Sequence, residues 1–412
     1  MVRSVSETKQ TKDDRARRMR NALWGLFIGD ALAMPAHWFY DRENIRRVFD
    51  GGVTGYEEAP HPHPESFLAG VTYRPDIEAA ERHGRPYDIL HEHARFYDAG
   101  FGDDFPAPVA GGDRFHYHHG LKAGENTLGA NLVRVLMRSV IRVGRHDPDA
   151  FLADFVAFMT TPGANRDPYL ETYLRRWFEN FSQGTEPRLC AAFQRDDFSI
   201  GSLGGVIRPL VASLTAEGAC QGFGVAVEHQ NLTHRSENVA SALLILVPML
   251  HGLLKGADPI RILQTHSSHM RLPKVTGEEL REIYRTQGGP GNIPPEELWR
   301  LHTDRCEESF DIEAFLVEHE SDDAACRRLS TACYPEHGLP LLLHVARKHE
   351  FSIMGSLLAN ANLGGDNVHR GMILGLLVGA AEAEVDEGWL RPLRETESLG
   401  NEIGEFVEIV AG

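Results

Sequence analysis

Apolar residues recur at three- and four-residue intervals through most of this chain, and strict alternation is scarce. Residues 18–32 place Leu23, Leu26 and Phe27 on one face of a helix. Residues 126–143 repeat the pattern, with apolar positions at Leu128, Leu132, Val135, Leu136 and Val140. This spacing predicts helices that bury one side, whereas alternation would predict strands. The sequence therefore predicts an all-α fold.

Helix boundaries are marked in several places by residue type. Asp147-Pro148 has an N-cap residue followed by proline at the first helical position, which predicts a helix over 150–159. The same periodicity predicts further helices over 169–181, 203–214, 236–254, 278–285, 295–302, 339–348, 351–361 and 367–382.

One segment, 48–113, breaks the helical pattern. It contains Gly51-Gly52, many prolines, the run His61-Pro62-His63-Pro64 and short β-like pieces at 53–56 and 67–73. Such a segment is typical of a long insertion carrying a small hairpin. We therefore predict one helical domain over residues 1–412, with 48–113 as an insertion or lid segment.

Charge and cysteine content indicate which partners and which cellular compartment to expect. The 412 residues include 42 basic and 59 acidic side chains, a net charge of −17, which argues against nucleic acid as a partner. The five cysteines are odd in number and widely spaced, which predicts a reduced, cytoplasmic protein. No apolar run reaches the roughly 18 residues of a membrane span, so no membrane partner is expected. The sequence does not define the oligomeric state.

Polar residues stand at the ends of apolar helices in three places. Asp30 lies near the C-terminal end of the first helix, where the helix dipole opposes a carboxylate, so Asp30 requires a cation or a backbone N–H as partner. The stretch 124–127 precedes the helix over 126–143 and follows a run with three histidines and two aromatic residues, 115–119. A simple helix cap explains Asp30 or 124–127 taken singly.

The third place is 360–367, where paired glycines precede Asp366 and another apolar helix. Glycines allow a backbone to approach a ligand closely, and a helix start favours an anion. A helix N-terminus can also hold phosphate. An ordinary aspartate cap explains this stretch equally well when it is taken alone.

Five stretches, in order, resemble motifs of the ADP-ribosylglycohydrolase family, which includes the enzyme that reactivates dinitrogenase reductase and the J1 crystallins. Residues 29–37 resemble G-D-A-x-G-x-P-x-E, and 124–127 resemble T-D-D-T. Residues 201–209 are similar to G-N-G-x-x-M-R-x-x-P, and Thr233-His234 to a T-H pair that opens a helix. Residues 362–369 resemble N-x-G-G-D-T-D-[ST]. The resemblance runs from about residue 21 to 381.

The resemblance implies an all-α fold, a single-domain orthogonal helical bundle, with two Mg²⁺ ions in a central cleft. It also implies hydrolysis of the bond between ADP-ribose C1″ and an amino-acid side chain, so a small-molecule or ADP-ribosylated substrate is expected. Several ligand positions differ here, however. His37 replaces the early glutamate, Glu125 and Asn126 replace the paired aspartates, and Val368 and His369 follow Asp366. Valine binds no metal, and paired Mg²⁺ ions need several carboxylate oxygens.

Three interpretations follow. In the first, the cleft has no metal, Glu125 and Asp366 act as acid and base, and Asp30 supports them. In the second, one borderline ion such as Fe, Mn or Zn is bound by imidazole and carboxylate groups, with the candidate ligands His37, Glu125, Asp366 and His369. In the third, the cleft only binds a nucleotide-like or sugar-like ligand. The cofactor is accordingly Mg²⁺ by resemblance, a single transition-metal ion, or none.

The leading prediction is a hydrolase of an N- or O-glycosidic ribosyl bond with an altered active site. The alternatives are a non-hydrolytic binding protein and a biosynthetic enzyme that uses the same cleft. The residues predicted to bind substrate are His37, His118, His119, Asn126, Thr127, Ser202, Asn362, Gly364, Gly365, His369 and Arg370.

Overall fold

The computed structural model describes residues 5–66, 73–94, 96, 115–287, 293–303, 305–382 and 384–411. The first helices in chain order are α1 (Val5–Ala33), α2 (Arg42–Val48), α3 (Ile77–His83), α4 (Leu128–Val143), α5 (Pro148–Thr160), α6 (Thr172–Ser182), α7 (Gly204–Ala212), α8 (Ala219–Thr233), α9 (Glu237–Leu254) and α10 (Pro259–Ser267). They are followed by α11 (Gly277–Gln287), α12 (Pro295–Thr303), α13 (Ile312–Glu318), α14 (Asp322–Arg328), α15 (Pro335–Lys348), α16 (Ile353–Leu363), α17 (Asn367–Ala381), α18 (Glu387–Leu390) and α19 (Thr396–Ala411). The all-α prediction is confirmed.

Short strands complete the described part of the chain. β1 (Ala192–Phe193) pairs in parallel with β2 (His234–Arg235), and β3 (Arg271–Pro273) pairs antiparallel with β4 (Arg305–Ser309). The β-like piece predicted at 53–56 is not a strand, because the backbone of Val53 bonds to the side chain of Asn362 instead. Of the second predicted piece, residues 67–72 lie outside the described residues, as do 95 and 97–113 of the proposed insertion.

Most predicted helices are present with shifted ends, and Asp147 caps α5 as predicted, accepting hydrogen bonds from two backbone N–H groups. Sequence reasoning missed three longer helices, α8, α10 and α19, in which polar and small residues are mixed among the apolar positions. It also missed the short helices α2, α3, α13, α14 and α18, which have seven residues or fewer. Thr233 ends α8 rather than opening a helix, since the chain turns into β2 at His234.

The centre of the molecule is the crossing of α1 and α17, which run against each other along the core. Leu23, Leu26 and Phe27 of α1 are fully buried, as their spacing predicted. The backbones come unusually close: a Cβ on Gly25 would lie 2.2 Å from the carbonyl oxygen of Gly375. This crossing places Asp30 of α1 in the same region of the core as Asp366, which immediately precedes α17.

Helix α9 is long and apolar enough to cross a membrane by composition, and it is the one described helix that meets this criterion. Most of its apolar window, 61%, is buried inside the protein. It includes Pro248 and the buried His251, and it packs against α8, α7 and α17. These contacts are those of a core helix.

Four histidines in the interior make stability sensitive to acid. Burial lowers the pKa of His234 and His302 to about 3, and that of His251 and His344 to about 4. In the unfolded chain histidine titrates near pH 6.5, so as the pH falls the unfolded state takes up protons first. The stabilisation is fully present above pH 6.5 and is lost below it. Each group then costs about 2 kcal/mol between pH 6.5 and pH 5.

We therefore expect the free energy of unfolding, measured with urea, to fall steeply between pH 6.5 and pH 4.5. His344→Phe is the matched variant, because neither ring nitrogen of His344 has a hydrogen-bond partner among the described residues and its ring packs edge-on against Phe315. Removing this group should flatten the slope by about 1.4 kcal/mol per pH unit. An unchanged slope in His344→Phe would show that His344 is not held neutral in the fold.

Candidate functional site

The carboxylate of Asp366 stands at the start of α17 but does not cap that helix. It accepts no hydrogen bond from the backbone N–H groups of the first turn. Its Oδ1 lies 3.2 Å from Nε2 of His37 and 2.7 Å from Nδ1 of His369. Its Oδ2 has no hydrogen-bond partner among the described residues, and the side chain is fully buried. Helix capping therefore does not explain this aspartate.

His37 connects Asp366 to a second carboxylate through another histidine. Its Nδ1 lies 2.6 Å from Nε2 of His118, and Nδ1 of His118 lies 2.8 Å from Oδ1 of Asp167. The His37 and His118 rings are stacked, with centroids 4.9 Å apart. Asp167 also accepts a hydrogen bond from the N–H of Leu128, so it caps α4 from outside the helix. His118, predicted to bind substrate, thus lies between His37 and Asp167 in this cluster.

On the other side, His369 approaches a third carboxylate. Its Nε2 lies 3.6 Å from Oε2 of Glu171, and Glu171 accepts a hydrogen bond from Ser202 Oγ at 2.8 Å. A Cβ on Gly204 would lie 2.2 Å from the Glu171 oxygens, so this glycine makes room for the carboxylate. Ser202, predicted to bind substrate, instead holds Glu171.

Burial and charge act in opposite directions on this cluster. Burial alone would lower the pKa of His369, but the carboxylates of Asp366 and Glu171 outweigh it and raise that pKa to about 9. Burial would raise the pKa of Asp366, yet His369 and His37 hold it well below its usual range. Burial lowers the pKa of His37 well below its ordinary value, with Asp366 opposing. Asp366 is therefore ionised near neutral pH, and the two carboxylates favour a positive charge at or beside His369.

Sequence reasoning missed Asp167, Tyr169 and Glu171. It placed residues 169–181 in one helix and gave Asp167 no role. The helix starts only at Thr172; Glu171 has an extended backbone, and residues 165–170 belong to no helix or strand. In an extended segment alternate side chains share a face. The i, i+2, i+4 spacing of these three residues was the signal that could have identified them.

Aromatic rings enclose the histidines. The ring of Trp38 stacks on His37 at 4.7 Å, and that of Tyr169 meets His37 edge-on at 5.4 Å. Tyr117 contacts both Trp38 and Tyr169. Trp38 Nε1 is buried without a hydrogen-bond partner among the described residues. The surroundings of Asp366 thus combine apolar ring surface with polar atoms that are available for bonding.

Asp30 organises the start of α4 rather than facing the histidine cluster directly. Its carboxylate accepts hydrogen bonds from the Thr127 N–H at 2.8 Å, the Thr127 hydroxyl at 2.6 Å and the Asn126 side chain at 2.8 Å. Burial raises the pKa of Asp30, and these three hydrogen bonds oppose the rise. The predicted backbone N–H partner is present. Asn126 and Thr127 were predicted to bind substrate, but their side chains bond to Asp30.

Asp30→Asn should destabilise the fold, because the amide nitrogen would meet donor groups that now bond to a carboxylate oxygen. We expect a loss of about 2–4 kcal/mol in the free energy of unfolding, measured by urea denaturation. Asp154→Asn is the matched control, since Asp154 makes a surface ion pair with Arg142 and should cost less than about 1 kcal/mol. Equal stability of the two variants would contradict the role given to Asp30.

Glu125 is placed apart from the histidine cluster. Its carboxylate bonds to Arg166 at 2.7 Å and to the Lys122 N–H at 2.8 Å. It lines a cavity of about 210 Å³ that also includes Arg394. Among the described residues, the group able to share one ion is His37, Asp366 and His369, so Glu125 does not join the predicted ligand set. A catalytic role for Glu125 stays a prediction, without contact to Asp366.

The paired glycines approach the protein's own backbone rather than a ligand. Gly364 and Gly365 both have positive φ angles, and a Cβ there would lie 2.0 Å from the Phe39 carbonyl oxygen and 2.1 Å from that of Thr331. The Trp38 N–H also donates to the Gly365 carbonyl at 2.8 Å. These glycines therefore lock the segment after α1 onto the start of α17.

Three more residues predicted to bind substrate have structural partners. Arg370 is buried and donates to the Asn360 side chain and the Gly364 carbonyl. Asn362 holds the backbone of Val53 on both its N–H and its C=O. His119 packs among aromatic rings, including Phe115 at 5.0 Å. The structure thus assigns Arg370 and Asn362 to the frame of the site.

Comparisons with known proteins agree with this fold. The family model of the ADP-ribosylglycohydrolases matches residues 11–411. The chain belongs to the ADP-ribosylglycohydrolase family. A solved structure described as an ADP-ribosylglycohydrolase-related protein complex is similar with a TM-score of 0.53 and 16% identity, covering 97% of this chain and 99% of that chain. That identity supports the fold alone. A search of curated proteins gave no match.

The residues present do not fit the two Mg²⁺ ions that the family implies. Mg²⁺ prefers oxygen ligands in octahedral geometry. Here Asp366 brings one carboxylate to two imidazoles, the buried Val368 offers no donor, and the Asn126 amide is bonded to Asp30. A binuclear Mg²⁺ centre would need several further carboxylates. Glycohydrolase chemistry in this chain must therefore rest on a different set of groups.

Proposed function

We propose that this protein hydrolyses an N- or O-glycosidic bond to ribose in an ADP-ribosylated or related substrate, with Asp366 at the reaction centre. Family membership supports a glycohydrolase type of activity. The observation that carries the proposal is the buried Asp366 carboxylate. Its Oδ1 lies 3.2 Å from His37 Nε2 and 2.7 Å from His369 Nδ1, while Oδ2 has no hydrogen-bond partner among the described residues. A charged oxygen without a partner is costly inside a protein unless it serves a ligand or a reaction.

The chemistry requires negative charge beside the anomeric carbon. When the bond from ribose C1 to its leaving nitrogen or oxygen breaks, positive charge develops on the sugar, and a fixed carboxylate stabilises it. Water then forms the new C–O bond at C1. It loses a proton, and the leaving group gains one. Oδ2 of Asp366 is the acceptor that would orient this water, while the imidazoles of His37 and His369 fix the carboxylate.

The walls of the site suit such a substrate. The rings of Trp38, Tyr117 and Tyr169 pack around His37 and exclude water from its neighbourhood, which strengthens the field of the carboxylate at the reacting sugar. Asp30 supports the site indirectly, because it fixes Thr127. Thr127 and His369 both border Gly129: a Cβ on that glycine would lie 3.6 Å from Thr127 Oγ1 and 3.7 Å from a ring carbon of His369.

The test is product analysis by mass spectrometry on a panel of substrates: ADP-ribosylated arginine, serine and acetate, and simple N- and O-ribosides. We expect release of ribose or ADP-ribose from at least one class, with solvent ¹⁸O incorporated at C1. Thermal stabilisation by ADP-ribose without any product would instead identify a binding protein. If the protein neither turned over nor bound any of these compounds, the proposal that its substrate is a ribosyl compound would be wrong.

A further inference from the structure

The buried histidines next to Asp366 lie between carboxylates in a way that constrains their protons. His118 and His37 form a connected pair whose outer nitrogens face Asp167 and Asp366 at 2.8 and 3.2 Å. Separately, His369 faces Asp366 at 2.7 Å and Glu171 at 3.6 Å. A neutral imidazole has one N–H and one lone pair, and a carboxylate only accepts.

Counting donors shows what neutral rings would leave unsatisfied. If His118 of the neutral pair donates to Asp167, then His37 donates to His118 and Nε2 of His37 points a lone pair at Asp366; the reverse tautomers instead leave a lone pair of His118 facing Asp167. If neutral His369 donates to Glu171, its Nδ1 also points a lone pair at Asp366. The lone pairs of His37 Nε2 and His369 Nδ1 then both face the Asp366 carboxylate at short range. These electron-rich atoms repel one another unless a positive charge lies between them. Two extra protons would supply it, and so would one divalent cation.

We propose that Nε2 of His37, Nδ1 of His369 and the carboxylate of Asp366 bind a single divalent transition-metal ion such as Zn²⁺, Mn²⁺ or Fe²⁺. The three donor atoms all lie within 4.8 Å of one another and all three residues are buried. Bonds of about 2.0–2.1 Å to one ion put neighbouring ligand atoms roughly 3.0–3.4 Å apart, close to the 3.2 Å between His37 and Asp366. Two imidazoles and a carboxylate favour a borderline ion over Mg²⁺.

The groups behind the ligands match this assignment. Metal-bound histidines usually donate their second N–H to a carboxylate or an equivalent acceptor, which fixes the ring and its tautomer. His369 has Glu171 in that position, and Glu171 is itself held by Ser202. His37 has His118, which is held by Asp167. Oδ2 of Asp366, without a partner among the described residues, offers a further donor for the ion or for a bound water.

Only the catalytic role of the ion, as a Lewis acid beside Asp366, rests on the proposed function. The site itself can be tested without any substrate. We would remove metal from the intact protein by dialysis against a chelator, titrate Zn²⁺, Mn²⁺ and Mg²⁺ separately, and measure stoichiometry by elemental analysis and affinity by calorimetry. X-ray absorption of the zinc form would report the ligand atoms without any mutation.

We expect one tightly bound Zn²⁺ per chain, no comparable Mg²⁺ binding, and a nitrogen/oxygen shell near 2.0–2.1 Å with scattering from two imidazoles. His37→Gln and His369→Gln should each weaken binding by on the order of 100-fold or more, and His118→Asn by roughly 10–100-fold. His269→Gln is the matched control, because His269 is exposed and lies near a half-buried histidine, His266. Circular dichroism and the melting temperature would verify that each variant folds.

Several results would overturn the site: no stoichiometric ion with any of the metals, a sulfur shell near 2.3 Å, or binding that survives both His37→Gln and His369→Gln. The two proposals fail separately. Full hydrolysis by metal-free protein would exclude the Lewis-acid role of the ion and would still support the proposed glycohydrolase activity. Stoichiometric metal with no turnover on the substrate panel would leave the metal site and remove the proposed function.

Discussion

Asp366→Asn should lower kcat/KM for the hydrolysed substrate by about 10³-fold or more, because it removes the negative charge that is placed to stabilise the cationic sugar. The amide has the same shape but no negative charge, and its NH₂ group cannot accept a proton from water. The fold should persist, since the backbone N–H of Asp366 bonds to Thr331 whichever side chain is present and the side chain does not cap α17. Steady-state kinetics and circular dichroism together check this prediction.

The matched control is Asp311→Asn. Asp311 also precedes a helix, α13, but it is exposed and caps that helix by accepting from two backbone N–H groups. Asparagine caps helices about as well as aspartate, so activity and stability should both stay near wild type. Full activity in Asp366→Asn, with both variants folded, would remove Asp366 from the reaction centre.

The largest effect on stability is expected at the helix crossing that underlies the site. Gly375→Ala would put a Cβ 2.0 Å from the carbonyl oxygen of Gly25, a contact that no side-chain rotation can relieve. Helices α1 and α17 would have to separate, opening the core between them. We expect a loss of about 4 kcal/mol or more in the free energy of unfolding, or no soluble protein at all.

Gly404→Ala is the control for this substitution. Gly404 also lies inside a helix, α19, but a Cβ there meets nothing within 4 Å. Alanine should therefore stabilise the protein by about 0.5–1 kcal/mol through helix propensity and unfolded-chain entropy. A Gly375→Ala protein that unfolds at the same urea concentration as wild type would show that the two backbones are not in contact.

The sequence predicted the helices well where apolar residues alternate with charged ones at the period of a helix. The helix α4, with its stripe from Leu128 to Val140, is an example. The sequence pattern did not predict α8, because glycine, glutamine and alanine interrupt its apolar face and tertiary contacts decide the conformation there. The crossing of α1 and α17 could not be predicted either, since nothing in Gly25 or Gly375 says which other backbone each will touch.

The structure places Asp366, His37, His118 and His369 in one cluster. The sequence pointed to Asp366 by its place before an apolar helix, to His118 by the run of histidines and aromatic residues at 115–119, and to His37 and His369 through the family resemblance. It could not say how they combine. The partners Asp167 and Glu171 lie more than 120 residues from His37, and only folding brings them near. Conversely, Arg370 and Asn362 were predicted to face a ligand because they are polar, although both complete the frame. Polarity predicts that a buried group needs a partner, but not which one.

A crystal structure with ADP-ribose bound would test the reaction centre most directly. We expect the anomeric carbon of the terminal ribose to lie against Oδ2 of Asp366, with a ring of Trp38 or Tyr169 along the sugar or the base. A ribose seated in the cavity lined by Glu125 and Arg166, with the Asp366 carboxylate untouched, would contradict this assignment.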